Sequence, residues 1–202
     1  MPYRRHFRRH APEIHALVRR VGPFTLRPQP NRFQMLVRSI VSQQISMGAA
    51  RTIYSRLEAL AGPPGIQPQA VAVLGLDDLR TAGLSRQKAA YIWDLAHKVA
   101  DGTVRLSHLG RLGDERIIDE LVQVKGIGRW TAQMFLIFAL GRQDVFPVDD
   151  LGVRTAIQKL YGFRELPSRQ ECLAVGSRWS PFASIGSWYC WQYLDLERAK
   201  SS

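Results

Sequence analysis

Apolar side chains along the chain recur at intervals of three and four, and no stretch longer than a few residues alternates as a half-buried strand would. The pattern predicts an all-α fold. Residues 11–21 open with Pro12 in a first-turn position and put Ile14, Leu17, Val18 and Val21 on one face, which predicts a short amphipathic helix ended by Gly22 and Pro23. Asn31 is placed to cap a long helix whose apolar stripe is Phe33, Leu36, Val37, Ile40, Val41 and Ile45. Gly48 is expected to break it before a second helix that runs to Ala61. The Gly-Pro-Pro-Gly run at residues 62–65 reads as a loop. Two short helices are expected between Pro68 and Gly83. Ser85 then caps a longer one with Ala89, Ile92, Trp93, Ala96 and Val99 turned inward, closed by Asp101 and Gly102. Further helices are expected over residues 114–122, 129–140, from the Asp149-Asp150 pair to Tyr161, and over about 168–179 and 181–198. The helix from Arg129 is almost entirely apolar from Ala132 onward and must be buried.

Charge adds a partner class to this picture. Of 202 residues, 28 are Lys or Arg against 17 Asp or Glu, a net charge of +11 that matches the electrostatic footprint of a nucleic-acid binder. A basic metabolic enzyme or a membrane-surface protein would show the same excess, so charge alone names no function. Arg4, Arg5, Arg8 and Arg9 read either as a phosphate-seeking arm or as a basic tail without specific contacts. No apolar run is long enough to span a bilayer, and the basic N-terminal segment leads into no apolar signal core, so a soluble cytoplasmic protein is expected. Cys172 and Cys190 are too few for a four-thiolate metal or iron–sulfur site and are expected to be reduced thiols. His6 and His10 stand four apart without a third ligand in register, so no metal is expected. Neither a phosphate-binding Gly-x-x-x-x-Gly-Lys loop nor a dinucleotide fingerprint is present, and no nucleotide cofactor is expected.

Chemistry enters at the Lys125-Gly126-Ile127-Gly128 turn. Glycines there let the backbone reach positive φ and let its N–H groups approach a phosphate, with the start of the next helix adding partial positive charge. Taken alone, a Gly-x-Gly turn is more often an ordinary helix connection. In context, LVQVKGIGRWTA at residues 121–132, followed by VFPVDDLGVR at 145–154, resembles the helix-hairpin-helix glycosylase superfamily, and within it the 3-methyladenine DNA glycosylase II type. The likeness extends upstream to FQMLVRSIVSQQIS at 33–46 and LRTAGLSRQKA at 79–89, and downstream to RWSPF at 178–182. It covers roughly residues 30–195. The resemblance implies two helical lobes flanking a cleft, with the hairpin and a catalytic aspartate loop at its mouth. One lobe is expected at about residues 33–145, with the hairpin at its end, and the other at about 1–32 plus 146–202.

The resemblance also implies site residues. The second aspartate, Asp150, falls on the catalytic position when Val153 and Arg154 set the spacing, whereas alignment on Val148 would choose Asp149. Either aspartate could simply cap the following helix, and Asp149 is expected to serve as that cap or as support. A carboxylate beside the anomeric carbon would stabilise an oxocarbenium-like transition state and orient water. Trp130, Trp191, Leu151 and Met134 are the expected base pocket, the two indoles attracting a cationic alkylated base. Trp191 shares a helix with Trp188, Tyr189 and Tyr193, where aromatics are commonly core. Gln44 is the expected wedge into the duplex, or else a helix-end cap, while Lys125, Gly126, Gly128, Arg129 and Thr131 are expected at phosphates. Bifunctional relatives carry a lysine two residues after the second hairpin glycine, where this chain has Trp130, so no strand cleavage is expected. The implied activity is monofunctional release of alkylated bases from double-stranded DNA by a monomer, without a cofactor other than, in some relatives, a monovalent cation at the hairpin. The alternatives are a glycosylase for deaminated or oxidised bases and a non-catalytic DNA-binding module.

Overall fold

The computed structural model describes residues 1–63 and 65–201; Pro64, at the centre of the loop expected at 62–65, lies outside the described residues. Among the described residues the chain forms twelve α-helices, one short 3-10 turn (Leu109–Arg111) and no strand. The helices are α1 (Pro2–His10), α2 (Pro12–Val21), α3 (Arg32–Ser42), α4 (Met47–Ala61), α5 (Pro68–Ala72) and α6 (Leu76–Thr81). They continue with α7 (Arg86–Ala100), α8 (Asp114–Leu121), α9 (Arg129–Phe138), α10 (Leu151–Tyr161), α11 (Arg169–Ser177) and α12 (Ala183–Ser201). The fold is all-α. Two compact units divide it, one of Met1–Pro28 with Leu136–Ser202 and one of Gln29–Phe135. No described helix is long and apolar enough to cross a membrane.

The first unit is built from both ends of the chain. Its basic N-terminal segment is no free arm: α1 turns Tyr3 and Phe7, four residues apart on one face, into the core, with Phe7 fully buried. Tyr3 meets the rings of Phe24 and Tyr189, and Phe7 meets Phe182. Arg4, Arg5, Arg8 and Arg9 therefore lie on the exposed face of a docked helix. On α12, the buried Tyr189 donates its hydroxyl to the Gly22 carbonyl at 2.9 Å. A Cβ on Gly186 would lie 2.6 Å from the ring of the fully buried Trp179, whose indole N–H reaches the Tyr161 hydroxyl at 3.2 Å. The start of α12 is pinned to the preceding loop by Asp144, whose carboxylate accepts from Ala183 N at 3.1 Å and Ser180 Oγ at 2.6 Å.

In the second unit the predicted caps form: Asn31 Oδ1 accepts from Gln34 N at 3.0 Å and Ser85 Oγ from Lys88 N at 3.2 Å. The break after α3 is elsewhere than expected. The helix ends at Ser42 and restarts under a Ser46 cap, with Ala49 N donating to Ser46 Oγ at 3.3 Å, so Gly48 lies inside α4. Ile45, expected in the core stripe, is half-exposed in the connection. The reason is a cation: Lys88 Nζ of α7 donates to the carbonyls of Val41 and Gln43 at 2.8 and 2.6 Å, capping the end of α3. On α7 itself, Trp93 is exposed rather than inward and lies against His97, and Leu95 joins the buried set instead.

Because Phe7 is packed rather than tethered loosely, Phe7→Ala should lower unfolding free energy by about 3–5 kcal/mol. Arg8→Ala, on the solvent face of the same helix, should stay within about 0.5 kcal/mol. Denaturant titration of both variants checks this, and a Phe7→Ala protein as stable as the parent would show α1 to be undocked in solution.

Candidate active site

Asp150 is the residue on which the first unit's polar chemistry converges. It caps α10, and its buried Oδ1 accepts both the Val153 N–H at 2.8 Å and the Trp191 indole N–H at 2.9 Å. The start of α10 supplies the N–H donor that fixes the carboxylate's orientation. Gly152 clears room for this arrangement: a Cβ there would stand 3.1 Å from Asp150 Oδ1 and 3.2 Å from Trp191 Cδ1. The Trp191 ring is stacked on Phe138, centroids 5.4 Å apart and planes 26° from parallel. Nearby Cys190 is no rival nucleophile, because burial, and then the Asp150 charge, push its thiol pKa far up. The site thus holds an oriented carboxylate that can stabilise developing positive charge or direct a water.

The expected division of labour between the two aspartates is corrected. Asp150, not Asp149, is the helix cap. Asp149 is exposed and gives both carboxylate oxygens to Arg169 at the start of α11. Arg154 fixes the same region by donating from Nε and Nη2 to the Pro167 carbonyl, at 3.3 and 2.8 Å. Leu151 is 65% exposed.

The hairpin belongs to the second unit. Gly126 has φ +80°, and a Cβ there would fall 2.0 Å from the Tyr91 ring, so only glycine fits. Gly128 has neither constraint; it is exposed, faces open space, and its carbonyl accepts the first helical bond of α9 from Ala132 N. The turn is tied down from behind by Asp94, whose Oδ2 accepts from Lys125 N at 2.9 Å and from Lys98 Nζ at 2.8 Å. Lys98 also donates to the Gln123 carbonyl at 2.6 Å. Burial alone would raise the Asp94 pKa, but the hydrogen bonds from Lys98 and the Lys125 N–H, with the charges of both lysines, outweigh it and hold the carboxyl below its ordinary range. Gln43 Nε2 donates to the Gly126 carbonyl at 3.0 Å.

The remaining expected residues differ in accessibility. Gln44 and Lys125 are exposed, and Gln44 has a left-handed backbone, φ 56°. Arg129 is exposed but forks onto both oxygens of Glu115, holding that carboxyl's pKa down. Trp130 offers 42% of its surface to solvent, whereas Thr131 and Met134 are buried. Arg169, Gln43, Lys88, Tyr91 and Asp94 were not anticipated. Only Asp94 carried a local signal, the four-residue spacing to Lys98; the others act across 20 to 83 positions of sequence.

Residues 37–181 match the model of the HhH-GPD superfamily base excision DNA repair protein family. YfjP of Bacillus subtilis is 32% identical over 169 residues, a match covering 81% of this chain but only 59% of YfjP. DNA-3-methyladenine glycosylase 1 of Schizosaccharomyces pombe is 31% identical over 189 residues, covering 89% of this chain and 81% of the relative. The solved structure of S. pombe 3-methyladenine DNA glycosylase Mag1 in complex with abasic DNA superposes with a TM-score of 0.86 at 28% identity, over 95% of this chain and 96% of that one.

Two stability measurements follow from this geometry. Asp150→Ala should cost about 1 kcal/mol or more through the lost cap, while Asp150→Asn, which keeps an accepting oxygen, should cost less than about 0.5 kcal/mol. Equal losses would mean that Oδ1 does not cap α10. For Asp94, a pKa depressed on folding means a contribution present above the unfolded value near about 3.9 and lost as pH falls through the folded value. The stability gap between the parent and Asp94→Asn should therefore be widest at neutral pH and close in acid below about pH 4, read from thermal melts across pH. A gap that stays constant over that range would contradict the tether.

Proposed function

The chain belongs to the HhH-GPD superfamily of base excision DNA repair proteins, and we propose that it is a monofunctional DNA glycosylase that hydrolyses the N-glycosidic bond of alkylated bases flipped out of duplex DNA. The observation that carries this reading is the Asp150 carboxylate, fixed through one oxygen by a helix start and an indole N–H. Cleavage of the glycosidic bond leaves positive charge on the sugar, which an adjacent carboxylate stabilises before water adds to the anomeric carbon. The electron pair of the broken bond departs with the base, the proton that water loses on adding to the sugar passes by way of the Asp150 carboxylate to solvent, and an abasic site and a free base result. A purine nucleotide methylated at N3 or N7 carries a positive charge on the base, which is then already a good leaving group, so the protein needs no strong general acid.

Recognition then falls to aromatic surface and to the duplex backbone. The exposed indole of Trp130 attracts a cationic base more than a neutral one. Trp191 serves first as the donor that orients Asp150, with Leu151 and Met134 as apolar neighbours of the base. Gln44 enters the gap that flipping leaves in the stack. The N–H groups at Gly126 and Gly128, with Lys125, Arg129 and the start of α9 at Thr131, grip phosphate; Arg129 must exchange Glu115 for it. Trp130 stands where a Schiff-base lysine would be needed, so the strand is left intact. At the hairpin the Gln123 and Gly126 carbonyls accept from Lys98 and Gln43, and a monovalent cation there would use the carbonyl lone pairs that these bonds leave. We route no step through one. The partner is double-stranded DNA bound by a monomer.

The test is base release from methylated duplex DNA, with the freed bases identified by chromatography and strand breaks scored before and after alkali. The parent should release methylated purines and break strands only after alkali. Asp150→Asn should slow single-turnover release by at least about 10²-fold. Release undiminished in Asp150→Asn, or breaks without alkali, would overturn the assignment.

A further inference from the structure

One face of α7 organises both DNA-facing loops of the second unit. Gln87, Lys88 and Tyr91 line a pocket of 250 Å³ together with Gln43, Gln44 and Gly126. Lys88 Nζ holds the carbonyls of Val41 and Gln43, the last acceptors of α3, where a helix C-terminus favours a cation. In an uninterrupted helix the Val41 carbonyl would accept from Ile45 N; the ammonium takes that place and lets the chain leave the helix. Gln44 then adopts φ 56°, a region that residues other than glycine rarely occupy and that persists only when its surroundings fix it. The side chain of Gln43 meanwhile reaches the Gly126 carbonyl, and Gly126 is packed on the Tyr91 ring, which Gln87 Nε2 braces through the tyrosine hydroxyl. Burial lowers the pKa of Lys88, a cost that a lysine lying free on the surface would not carry.

We propose that Lys88 is a positioning residue for base flipping: by holding the Val41 and Gln43 carbonyls it keeps Gln44 left-handed and in fixed register with the hairpin. Phosphate capture at the hairpin and entry of Gln44 into the stack are thereby made one rigid event. This rests on the assignment of Gln44 as the wedge. Lys88 need touch neither base nor phosphate; its whole effect passes through the α3–α4 connection.

The experiment separates wedge position from duplex grip and from chemistry. A duplex carries 2-aminopurine beside a stable abasic analogue, and its fluorescence rises when a bound wedge unstacks it. Parent, Lys88→Met, Gln43→Leu, Gln44→Ala and the Lys88→Met/Gln44→Ala double variant are compared at saturation, with duplex affinity by anisotropy and thermal midpoints alongside. Lys88→Met should reduce the fluorescence rise about as much as Gln44→Ala, by roughly threefold or more, with duplex affinity within about threefold and no further loss in the double variant. Gln43→Leu should show the same separation with the ammonium intact. A full fluorescence rise in Lys88→Met, additive losses in the double variant, or affinity falling in parallel with fluorescence would each overturn the proposal. Base release by the parent is scored separately: a fluorescence rise without release counts against the glycosylase reading alone, and release without a rise counts against this one alone.

Discussion

Two donors share one oxygen of Asp150, the Val153 N–H and the Trp191 indole N–H, and much of the first unit is arranged so that they can. Gly152 leaves the gap through which the indole approaches, Phe138 supports the ring's far face, and α10 begins where its orphan N–H groups need an acceptor. A carboxylate in that position is fixed before any ligand arrives, so its orientation need not be created during a reaction. The cap and the proposed chemistry are not competing explanations of the same residue. The helix start is what holds the carboxylate in one orientation.

Much of this arrangement is legible in the chain, and what is hidden has a common cause. Asn31, Ser85 and the Gly126 turn declare themselves because a cap or a positive φ is a demand made within three or four residues. The end of α3 does not. Sequence places it at Gly48 on helix propensity, whereas the structure places it at Ser42 because an ammonium 45 and 47 positions away takes the terminal carbonyls. Trp93 misleads in the same manner, since its spacing fits the buried stripe but its ring lies outward on His97. The two aspartates show the limit of motif reading: spacing selects Asp150, but only the coordinates give Asp149 its own partner in Arg169.

The connections of the second unit show how an all-helical chain builds firm loops. Lys88 and Lys98, on one helix, each end in a backbone carbonyl of a neighbouring segment, at Gln43 and at Gln123. Neither is primarily a surface charge. Like Arg32, Arg154 and Arg178, these two of the chain's 28 basic residues are committed to its own carbonyls; their charge still counts in the net +11, but their donors are already engaged within the chain. The arginines of α1 belong to the opposite class, exposed on a helix that is anchored by Tyr3 and Phe7.

That anchoring has a consequence for the order in which the chain can fold. Residues 29–135 are contiguous, so the second unit can close as soon as its own residues have been made. The first unit cannot, because α1 and α2 lean on α12: Tyr3 on Tyr189, the Gly22 carbonyl on the Tyr189 hydroxyl, and Arg20 on Glu197. At translation speeds of about 5–20 residues per second, the apolar faces of the first two helices wait roughly ten to thirty seconds for their partner to emerge. The earlier segment is therefore packed late, and in that interval Phe7 and Ile14 are open to chaperones or to the exposed faces of other nascent chains.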